Sequence, residues 1–318
     1  EGLFTSSLPV DERADSDEVL SKWRNAALST GQADPFCCLP SWQLSFHDAF
    51  SPQRRLLIKE CSNNVIAFAE KVFSPGSIYL TPIESLWFFG NPLLGRHSVE
   101  LFSDTLVDIE KLYSPVFPRI MISGIRPNGS LYRKLKERFD GKFKFILHSS
   151  GIQCVSSLEG GLDGFLSRRS GNHRRHLKKQ GKRVSGNDIS FERHIPASDQ
   201  EAEEVFSRMI SVELASWKGI EKCGMAEPQS KGFYGIMMKR LAFSISARVI
   251  FAKHEGKDIG FIFGGMAGAT YRGQQFSYDE KWRSASIGNI MQLEQIKWLC
   301  EEGAKRYDMG PLLGYGMG

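Results

Sequence analysis

A short run of residues at a predicted strand-to-helix junction carries the clearest chemistry in this sequence. Residues 271–278 are predicted to form a strand and residues 289–302 a helix, and the pattern Arg283-x-x-Ser286-x-Gly288 lies between them. The first turn of a helix presents backbone N–H groups that have no intrahelical partner, and the helix dipole adds partial positive charge there. Such a turn binds phosphate, and an arginine adds charge-assisted hydrogen bonds. The junction is therefore a predicted pyrophosphate site.

Positive charge is concentrated in a second place, the basic segment of residues 168–183. It holds eight Lys or Arg and no acidic residue, and removing those eight from the net charge of +5 leaves −3. If the whole segment is helical, spacings of 7, 4 and 3 place four of its basic residues on one face: Arg168, Arg175, Lys179 and Lys182. The segment is either an ordinary solvated face or a binding surface for an anionic substrate, such as the phosphates of a lipid, a nucleotide-linked sugar or tRNA.

The elements that must position these groups alternate along the chain. The first half has predicted helices at 16–28, 99–112 and 131–139, and predicted strands at 56–60, 65–73, 77–80, 119–122 and 143–147. The second half has predicted strands at 152–158, 189–194, 248–254, 259–267, 271–278 and 306–309, and predicted helices in the basic segment and at 201–215, 233–245 and 289–302. Each half contains a hairpin, a third strand, a helix and a further strand. This order predicts a mixed sheet with helices packed on it.

The two halves repeat each other at an offset of 193 residues. Asn63, at the first hairpin turn, then corresponds to Gly256 at the second. Gly95, before the first long helix, corresponds to Gly288 before the second. A period of this length indicates two copies of one domain rather than a solenoid. We therefore expect an α/β protein of the mixed α+β kind, built from two similar domains.

Several motifs occur in the order found in GNAT acetyltransferases. That superfamily carries Q/R-x-x-G-x-G/A at this junction, and Arg283-x-x-Ser286-x-Gly288 resembles it, with serine in place of the first glycine. The CelD-like (BioF-like) branch is similar in more detail. Its basic helix, Trp-Lys pair, hairpin, small-residue turn and Asp-x-Gly strand end have counterparts here at residues 174–179, 217–218, 254–260, 286–288 and 308–310. The Fem aminoacyl transferases, which contain two GNAT-like domains, are a more distant likeness.

The resemblance implies two tandem GNAT-like domains, with catalysis in residues 151–318. That domain would bind acetyl-CoA or a longer acyl-CoA as co-substrate and transfer the acyl group to an amine or a hydroxyl. Five residues would hold the donor: Arg283, Ser284, Ser286, Gly288 and Asn289. Residues 1–150 lack the donor motif, so we expect a degenerate copy that shapes a substrate cleft. No metal is expected, because His173 and His176 have no further ligands near them in the sequence.

The base that removes a proton from the attacking amine has three candidates among the carboxylates. Asp279 and Glu280 follow the strand that leads into the junction, and Asp308 ends the next strand. Each has a structural alternative. The first two also suit a solvated turn, and Asp308 also suits a structural hydrogen-bonding role at the end of its strand.

The substrate-binding candidates fall into two pairs. Trp217 and Lys218 follow a predicted helix, and Glu213 lies one turn before them. Lys218 would hold an acidic group and Trp217 would form a wall, with a packed tryptophan and an exposed lysine as the alternative. Arg175 and Lys179 of the basic segment are the second pair.

Other reaction classes find no motif here: the sequence has no phosphate-binding P-loop, no His-Glu-x-x-His and no Gly-x-Ser-x-Gly. The six cysteines include no CxxC pair, and no apolar run approaches the roughly 20 residues of a membrane span. With an acidic, polar start, these features predict a cytoplasmic protein with reduced thiols.

The expected partner is a small-molecule or cell-envelope-precursor acceptor, the latter implied by the resemblance. Two alternatives stay open. The first is a Fem-like transferase that uses aminoacyl-tRNA, the one case in which nucleic acid is expected. The second is a non-catalytic GNAT-fold binding module, because Ser286 departs from the motif.

Overall fold

The computed structural model describes the backbone of residues 13–74 and 76–312, and their side chains from residue 18 onward. The chain divides into two units, Glu1–Ser150 and Gly151–Gly318. The elements of the first unit are α1 (Arg13–Leu28), α2 (Pro40–Phe50), β1 (Leu56–Cys61), β2 (Asn64–Ser74), β3 (Ser77–Pro82), β4 (Leu93–Leu94), α3 (Ser98–Tyr113), β5 (Arg119–Ile120) and α4 (Ser130–Phe139).

The first unit is a mixed sheet with helices packed on it. Its strand order is β1-β2-β3-β5, and the short β4 pairs with β2. The first three strands are antiparallel, whereas β3 and β5 are parallel because the chain returns through α3. Phe68 of β2 and Phe102 of α3 meet in the core that joins helix to sheet, with ring centroids 5.9 Å apart.

The predicted strand at residues 143–147 is wrong. Residues 144–150 have no regular structure, and Ile146 and Leu147 are 77% and 85% exposed. The Phe143 ring packs on Phe139 of α4, and Lys136 of the same helix lies over the ring of Phe145. Strand-forming residues form a strand only where another strand pairs with them, and local packing on α4 takes its place here.

The second unit contains a larger mixed sheet. Its elements are β6 (Gln153–Ser157), α5 (Gly161–Ser167), α6 (Gly171–Gly186), β7 (Ser190–His194), α7 (Asp199–Ala215), α8 (Trp217–Ile220), α9 (Pro228–Phe243), β8 (Ala247–His254), β9 (Lys257–Ala267), β10 (Thr270–Tyr278), a 3₁₀ turn (Glu280–Ala285), α10 (Ile287–Glu301) and β11 (Arg306–Pro311). The strand order is β6-β11-β10-β9-β8-β7, and β10 and β11 are the parallel pair.

Helices cover both faces of this second sheet. Ile250 of β8 is buried with Ile287 and Met291 of α10, so α10 lies on the face to which Ile250 points. The next residue, Phe251, lies under the guanidinium of Arg208 from α7, at 3.9 Å. Because neighbouring strand residues point to opposite faces, α7 and α10 lie on opposite sides of the sheet.

Serine caps set the starts of three helices in this unit. Ser170 accepts a hydrogen bond from the His173 N–H at the start of α6, and Ser216 accepts one from Gly219 at the start of α8. At α7, Ser198 accepts from the Glu201 N–H while the Glu201 carboxylate accepts from the N–H of Ala197, a variant of the capping box in which the residue before the N-cap is the donor. These side chains satisfy N–H groups that would otherwise have no partner.

The basic segment is not one helix, which corrects the predicted four-residue face. The chain leaves α5 at Ser167 and enters α6 at Gly171, so Arg168 lies outside α6. Its guanidinium donates to the carbonyl oxygens of Ser157 and Glu159, both at 2.9 Å. A break in the helix therefore separates Arg168 from the other basic residues of the predicted face.

The repeat seen in the sequence has a structural counterpart at the hairpins. Glu60 pairs with Val65 in the first unit and Lys253 with Asp258 in the second, which is the same pairing at an offset of 193. The correspondence fails at the long helices. Gly95 has a φ of +99° and precedes α3, whereas Gly288 is the second residue of α10 rather than a residue before it.

No helix in residues 13–74 or 76–312 combines the length and apolar character that a bilayer crossing requires.

Candidate functional site

The predicted donor site lies where β10 leads into α10. Asp279 directly follows the strand, and its Oδ1 accepts a hydrogen bond from the Lys281 N–H at 2.9 Å, which caps the start of the 3₁₀ turn. Ser286 follows in the left-handed conformation with a φ of +59°, and α10 begins at the next residue. The chain thus reaches the helix through a tight turn, as the sequence pattern predicts.

A cleft of about 260 Å³ opens at this turn. It is lined by residues of β9, β10, the turn and α10: Ile262, Phe276, Tyr278, Arg283, Ser286, Gly288, Asn289 and Gln292. Four of the five residues predicted to hold the donor are among them. The fifth, Ser284, is exposed on the 3₁₀ turn and does not line the cleft.

The N-terminus of α10 faces this cleft without a side-chain cap. Ser286 precedes the helix but its hydroxyl accepts no capping hydrogen bond, so it leaves the first-turn N–H groups to other acceptors. A Cβ atom on Gly288 would lie 3.3 Å from the Tyr278 ring and 3.4 Å from the Phe276 ring. Glycine therefore keeps the space between helix and strand open. Arg283 adds positive charge at the rim, where its side chain is 76% exposed.

Four lining residues escaped the sequence reasoning. Gln292 lies one helical turn after Gly288, a spacing that places both on one face of α10. Phe276 and Tyr278 alternate along β10 and point to the same side of the sheet. Extending the helical spacing and the strand alternation outward from the motif would have predicted three of these four residues. Ile262 of β9 is adjacent only through the pairing of β9 with β10.

Strands β10 and β11 separate beside this cleft. They pair only from Thr270 to Arg272 and from Arg306 to Asp308, although β10 continues to Tyr278. Within β10, the register with β9 shifts between Gly273 and Gln275, where one extra residue forms a bulge. The second half of β10 therefore has no β11 partner, and the sheet opens along that edge.

Asp308 is fully buried at the point where the two strands begin to diverge. Its Oδ1 accepts hydrogen bonds from Gln153 Nε2 at 2.7 Å and the Gly310 N–H at 2.9 Å, and its Oδ2 accepts from Arg306 at 2.8 Å. The Arg272 guanidinium approaches Oδ1 at 3.8 Å. A carboxylate with this many donors holds the strand ends together. These contacts suit the alternative of structural hydrogen bonding at the strand end better than the role of general base.

Asp279 and Glu280 have local partners at the turn. Asp279 caps the 3₁₀ turn, as described above, and its backbone N–H donates to Ile259. Glu280 forms an i,i+3 ion pair with Arg283 at 3.0 Å. Neither lines the cleft. The contacts of Asp279 and Glu280 stabilise the turn and the position of Arg283. They suit the alternative in which both are carboxylates of a turn.

The Trp-Lys pair departs from the alternative of a packed tryptophan and an exposed lysine, because it is the tryptophan that is exposed. Trp217 is 46% exposed on α8, whereas Lys218 is half-buried against β10. Lys218 Nζ donates to Gln275 Oε1 at 3.0 Å and to the Phe276 carbonyl at 2.9 Å. Both acceptors are neutral and lie in the part of β10 that has no β11 partner. Burial lowers the pKa of this lysine, and the charge of Glu213 opposes that shift.

Glu213 is fully buried in the last turn of α7. Its Oε1 accepts a hydrogen bond from the Met225 N–H at 2.9 Å, whereas Oε2 has no hydrogen-bond partner. Gly224 passes so close that a Cβ there would lie 2.1 Å from Oε1. The chain after α8 therefore covers this carboxylate and keeps it beside Lys218.

The second predicted substrate-binding pair lies on α6. Leu177 and Val184 are buried, and Gln180 accepts a hydrogen bond from Asn289 at 3.3 Å, so this face packs on α10. Arg175 and Lys179 are exposed and lie on the opposite face at helical spacing. The basic face is thus presented to solvent, on a helix that adjoins the cleft.

The profile of the acetyltransferase (GNAT) domain family matches residues 171–315, which begin at α6 and include the cleft. These residues are similar to GNAT acetyltransferase domains. The hairpin of β8 and β9, the turn before α10 and the end of β11 follow one another in the order that the motifs predicted. The match does not resolve the CelD-like branch. A search of curated proteins finds no significant match to this sequence.

Solved structures extend the likeness to both units. FemX superposes with a TM-score of 0.62 at 12% identity, over 94% of this chain and 89% of its own. A conserved protein from Bacteroides thetaiotaomicron gives 0.61 at 11% identity, over 98% and 91%. L-PGS from Bacillus licheniformis gives 0.54 at 16% identity, over 90% and 79%. Such identities establish fold alone, and the predicted fold class of two tandem GNAT-like units, each with a mixed sheet and flanking helices, is confirmed.

Proposed function

We propose that the second unit transfers an acyl group from acyl-coenzyme A to an amine or a hydroxyl acceptor. The observation that carries this proposal is the cleft at the α10 N-terminus, where Arg283, Ser286, Gly288 and Asn289 converge. A diphosphate fits this chemistry, because the uncapped first turn offers N–H donors and Arg283 offers charge. Gly288 supports the assignment, since a side chain there would fill the cleft.

The acyl end of the donor would lie along the open edge of β10. Beyond Arg272 that edge has no β11 partner, and Lys218 Nζ of α8 bonds to it at the Phe276 carbonyl. Trp217 is the neighbouring residue on α8. We assign these two residues to the acceptor side of the site. Asp279 and Glu280 would support the turn that holds the donor, and Asp308 would hold the strand ends at the divergence. In this assignment none of the three carboxylates exchanges a proton with the substrate.

A second candidate function rests on the exposed basic face of α6. Arg175 and Lys179, with Lys182 at the same helical spacing, would suit a polyanion such as tRNA, as in a Fem-like aminoacyl transferase. The same face also suits the phosphate of a cell-envelope precursor. The first unit would shape a substrate cleft under either function.

Calorimetric titration with acetyl-CoA and with a long-chain acyl-CoA tests the donor assignment. We expect saturable binding by the wild type and its loss in the Arg283→Ala, Gly288→Glu double variant, because the glutamate fills the cleft and repels phosphate. Gly232→Glu is the matched control. Gly232 is also in a helix, but a Cβ there has open space around it.

Three outcomes separate the candidates. Binding that the double variant loses and the control keeps supports the acyl-CoA function, and the tighter ligand indicates the acyl length. Binding of charged tRNA without binding of either acyl-CoA favours the Fem-like function. A chain that binds none of them would overturn both and leave a non-catalytic module.

A further inference from the structure

The Lys218 side chain has an unusual set of partners for a lysine on a protein surface. Its two hydrogen bonds go to an amide oxygen and a backbone carbonyl, and none of the carboxylates in the described part of the chain forms an ion pair with Nζ. A protonated lysine has three N–H donors, whereas a neutral one has two donors and a lone pair. Two neutral acceptors match the donor count of the neutral amine and leave its lone pair unused.

The surroundings of Lys218 are built on three elements and the chain between them. Gln275 of β10 holds Nζ and is itself fixed, because its Nε2 donates to Tyr234 Oη of α9 at 2.7 Å. The titratable groups that face the lysine are Glu213 of α7, Tyr234 through Gln275, and Cys223 of the following loop. Glu213 is the one that attracts a proton to Lys218, because its buried carboxylate favours an ammonium nearby.

We propose that Lys218 is the general base of the acyl transfer, accepting the proton of the attacking amine at the open edge of β10. This inference rests on the acyl-CoA function proposed above. The position of Lys218 is the main argument. Its Nζ contacts the part of β10 that does not pair with β11, beside Phe276, whose ring lines the donor cleft. A base must lie within hydrogen-bond reach of the proton it abstracts, and this edge is the place assigned to the acyl group.

The proton and electron balance of the step is simple. The nitrogen of a neutral acceptor amine attacks the thioester carbon, and the C–N bond forms. The Lys218 lone pair accepts the proton that this nitrogen releases. The C–S bond then breaks, coenzyme A leaves as a thiolate, and the lysine ammonium returns its proton to that thiolate or to water. Glu213 stabilises the lysine ammonium while it exists, which gives the buried carboxylate a role.

The protonation state of Lys218 can be measured without knowing the acceptor. The wild-type chain is acetylated with a trace of acetic anhydride at pH values from 6 to 11, and each lysine-containing peptide is quantified by mass spectrometry. We expect the midpoint for Lys218 to lie below the usual lysine range, because burial disfavours the ammonium. Lys222, exposed four residues later, is the internal control. A Lys218 midpoint in the ordinary lysine range would overturn the proposal.

Turnover then tests the catalytic role. A panel of primary amines is acetylated with acetyl-CoA by the wild type, Lys218→Arg and Lys218→Met, with Lys222→Arg as control. We expect both Lys218 variants to lose about 100-fold or more in kcat, the range of general base catalysis, while acetyl-CoA affinity stays within about threefold. The rise of the wild-type rate with pH through the Lys218 midpoint should disappear in both.

The two proposals fail in different ways. If the wild type transfers acetyl groups and the Lys218 variants keep kcat within about threefold, Lys218 is not the base and the proposed function stands. If the wild type binds no acyl-CoA, the proposed function fails, and the inference that rests on it fails too. A low Lys218 midpoint together with the loss of kcat supports both.

Discussion

The two units share the same strand-helix-strand path, but they differ at the turn where the helix of that path begins. In each, a hairpin leads to a third strand, then to a long helix, then to a strand parallel with the third. The helix is α3 in the first unit and α10 in the second. Neither helix has a side-chain cap from its N-cap residue, His97 or Ser286. The units differ in how the backbone N–H groups of the connection before the helix are satisfied.

The first unit supplies its own oxygen atoms. Asn64 Oδ1 accepts the N–H of His97 at 2.8 Å, immediately before α3. Earlier in the same connection, the buried carboxylate of Glu84 accepts four backbone N–H groups, from the consecutive residues Leu86, Trp87, Phe88 and Phe89. Backbone donors that would suit an external anion are therefore already occupied by the chain itself.

The second unit leaves the corresponding place open. Ser286 makes no capping hydrogen bond, and the N-terminus of α10 faces the cleft. The comparison teaches that one fold path supports either a closed structural turn or an open turn of the kind that the proposed donor site requires. The choice depends on a few side-chain oxygens and on one glycine. The occupied N–H groups are also a physical reason to expect that the first unit does not bind the acyl donor.

The largest difference is expected from alanine at the two glycines that the repeat aligns. At Gly95 the left-handed backbone and the Asn63 carbonyl, 2.4 Å from a built Cβ, both oppose a side chain. We expect Gly95→Ala to lower the free energy of unfolding by about 3 kcal/mol, combining overpacking with backbone strain.

Gly288→Ala should be nearly neutral, because the gain in helix propensity, about 1 kcal/mol, offsets a tight contact with Tyr278. Urea unfolding followed by tryptophan fluorescence measures both changes. Equal losses at the two positions would show that the glycines are equivalent after all.

A smaller effect should follow from giving α10 an anion of its own. We expect Ser286→Asp to weaken acyl-CoA binding about tenfold, or about 1.4 kcal/mol, because its carboxylate competes with the phosphates for the helix N-terminus. Aspartate tolerates the left-handed backbone at this position.

Ser286→Asn is the matched control, equally tolerant but uncharged, and it should bind within about threefold of the wild type. Calorimetry with acetyl-CoA measures both. Equal affinity of the aspartate and asparagine variants would contradict the assignment of the phosphates to this turn.

The smallest effect concerns Glu84, whose buried carboxyl group accepts the four backbone N–H groups in the first unit. Burial raises the pKa of Glu84 despite its four N–H donors, so the folded chain holds that proton to higher pH than the unfolded chain. The stability that protonation contributes is complete below the unfolded pKa and is lost as the pH rises through the folded one.

Glu84→Gln removes this dependence. We therefore expect the stability of the wild type relative to Glu84→Gln to fall as the pH rises from 4 towards 8, by about 1.4 kcal/mol for each pH unit by which burial raises the pKa of Glu84. Urea titrations of both proteins at several pH values measure the difference. A difference that stays constant, or grows with pH, would show that the N–H donors outweigh burial.

Sequence reasoning found most elements and the place of the cleft, because both depend on local patterns. The hairpin at Glu255–Gly256 and the junction at 283–289 are signalled by residue types within a few positions. The strand predicted at 143–147 failed because its apolar residues have no partner strand, which no local pattern reveals. The basic segment failed as one helix because Arg168 bonds to the carbonyls at the end of β6.

By itself, the sequence determined the path of the chain through each unit and the chemistry of the turn before α10. Local spacing is sufficient there, because helix starts, strand alternation and turns depend on near neighbours. Only the tertiary structure decided the surroundings of Lys218 and Asp308. Lys218 meets β10 across 57 residues of sequence, and Asp308 meets Gln153 across 155. The burial of a side chain and the number of its hydrogen-bond donors decide whether it exchanges a proton or stabilises the fold. Both arise only when such distant segments meet.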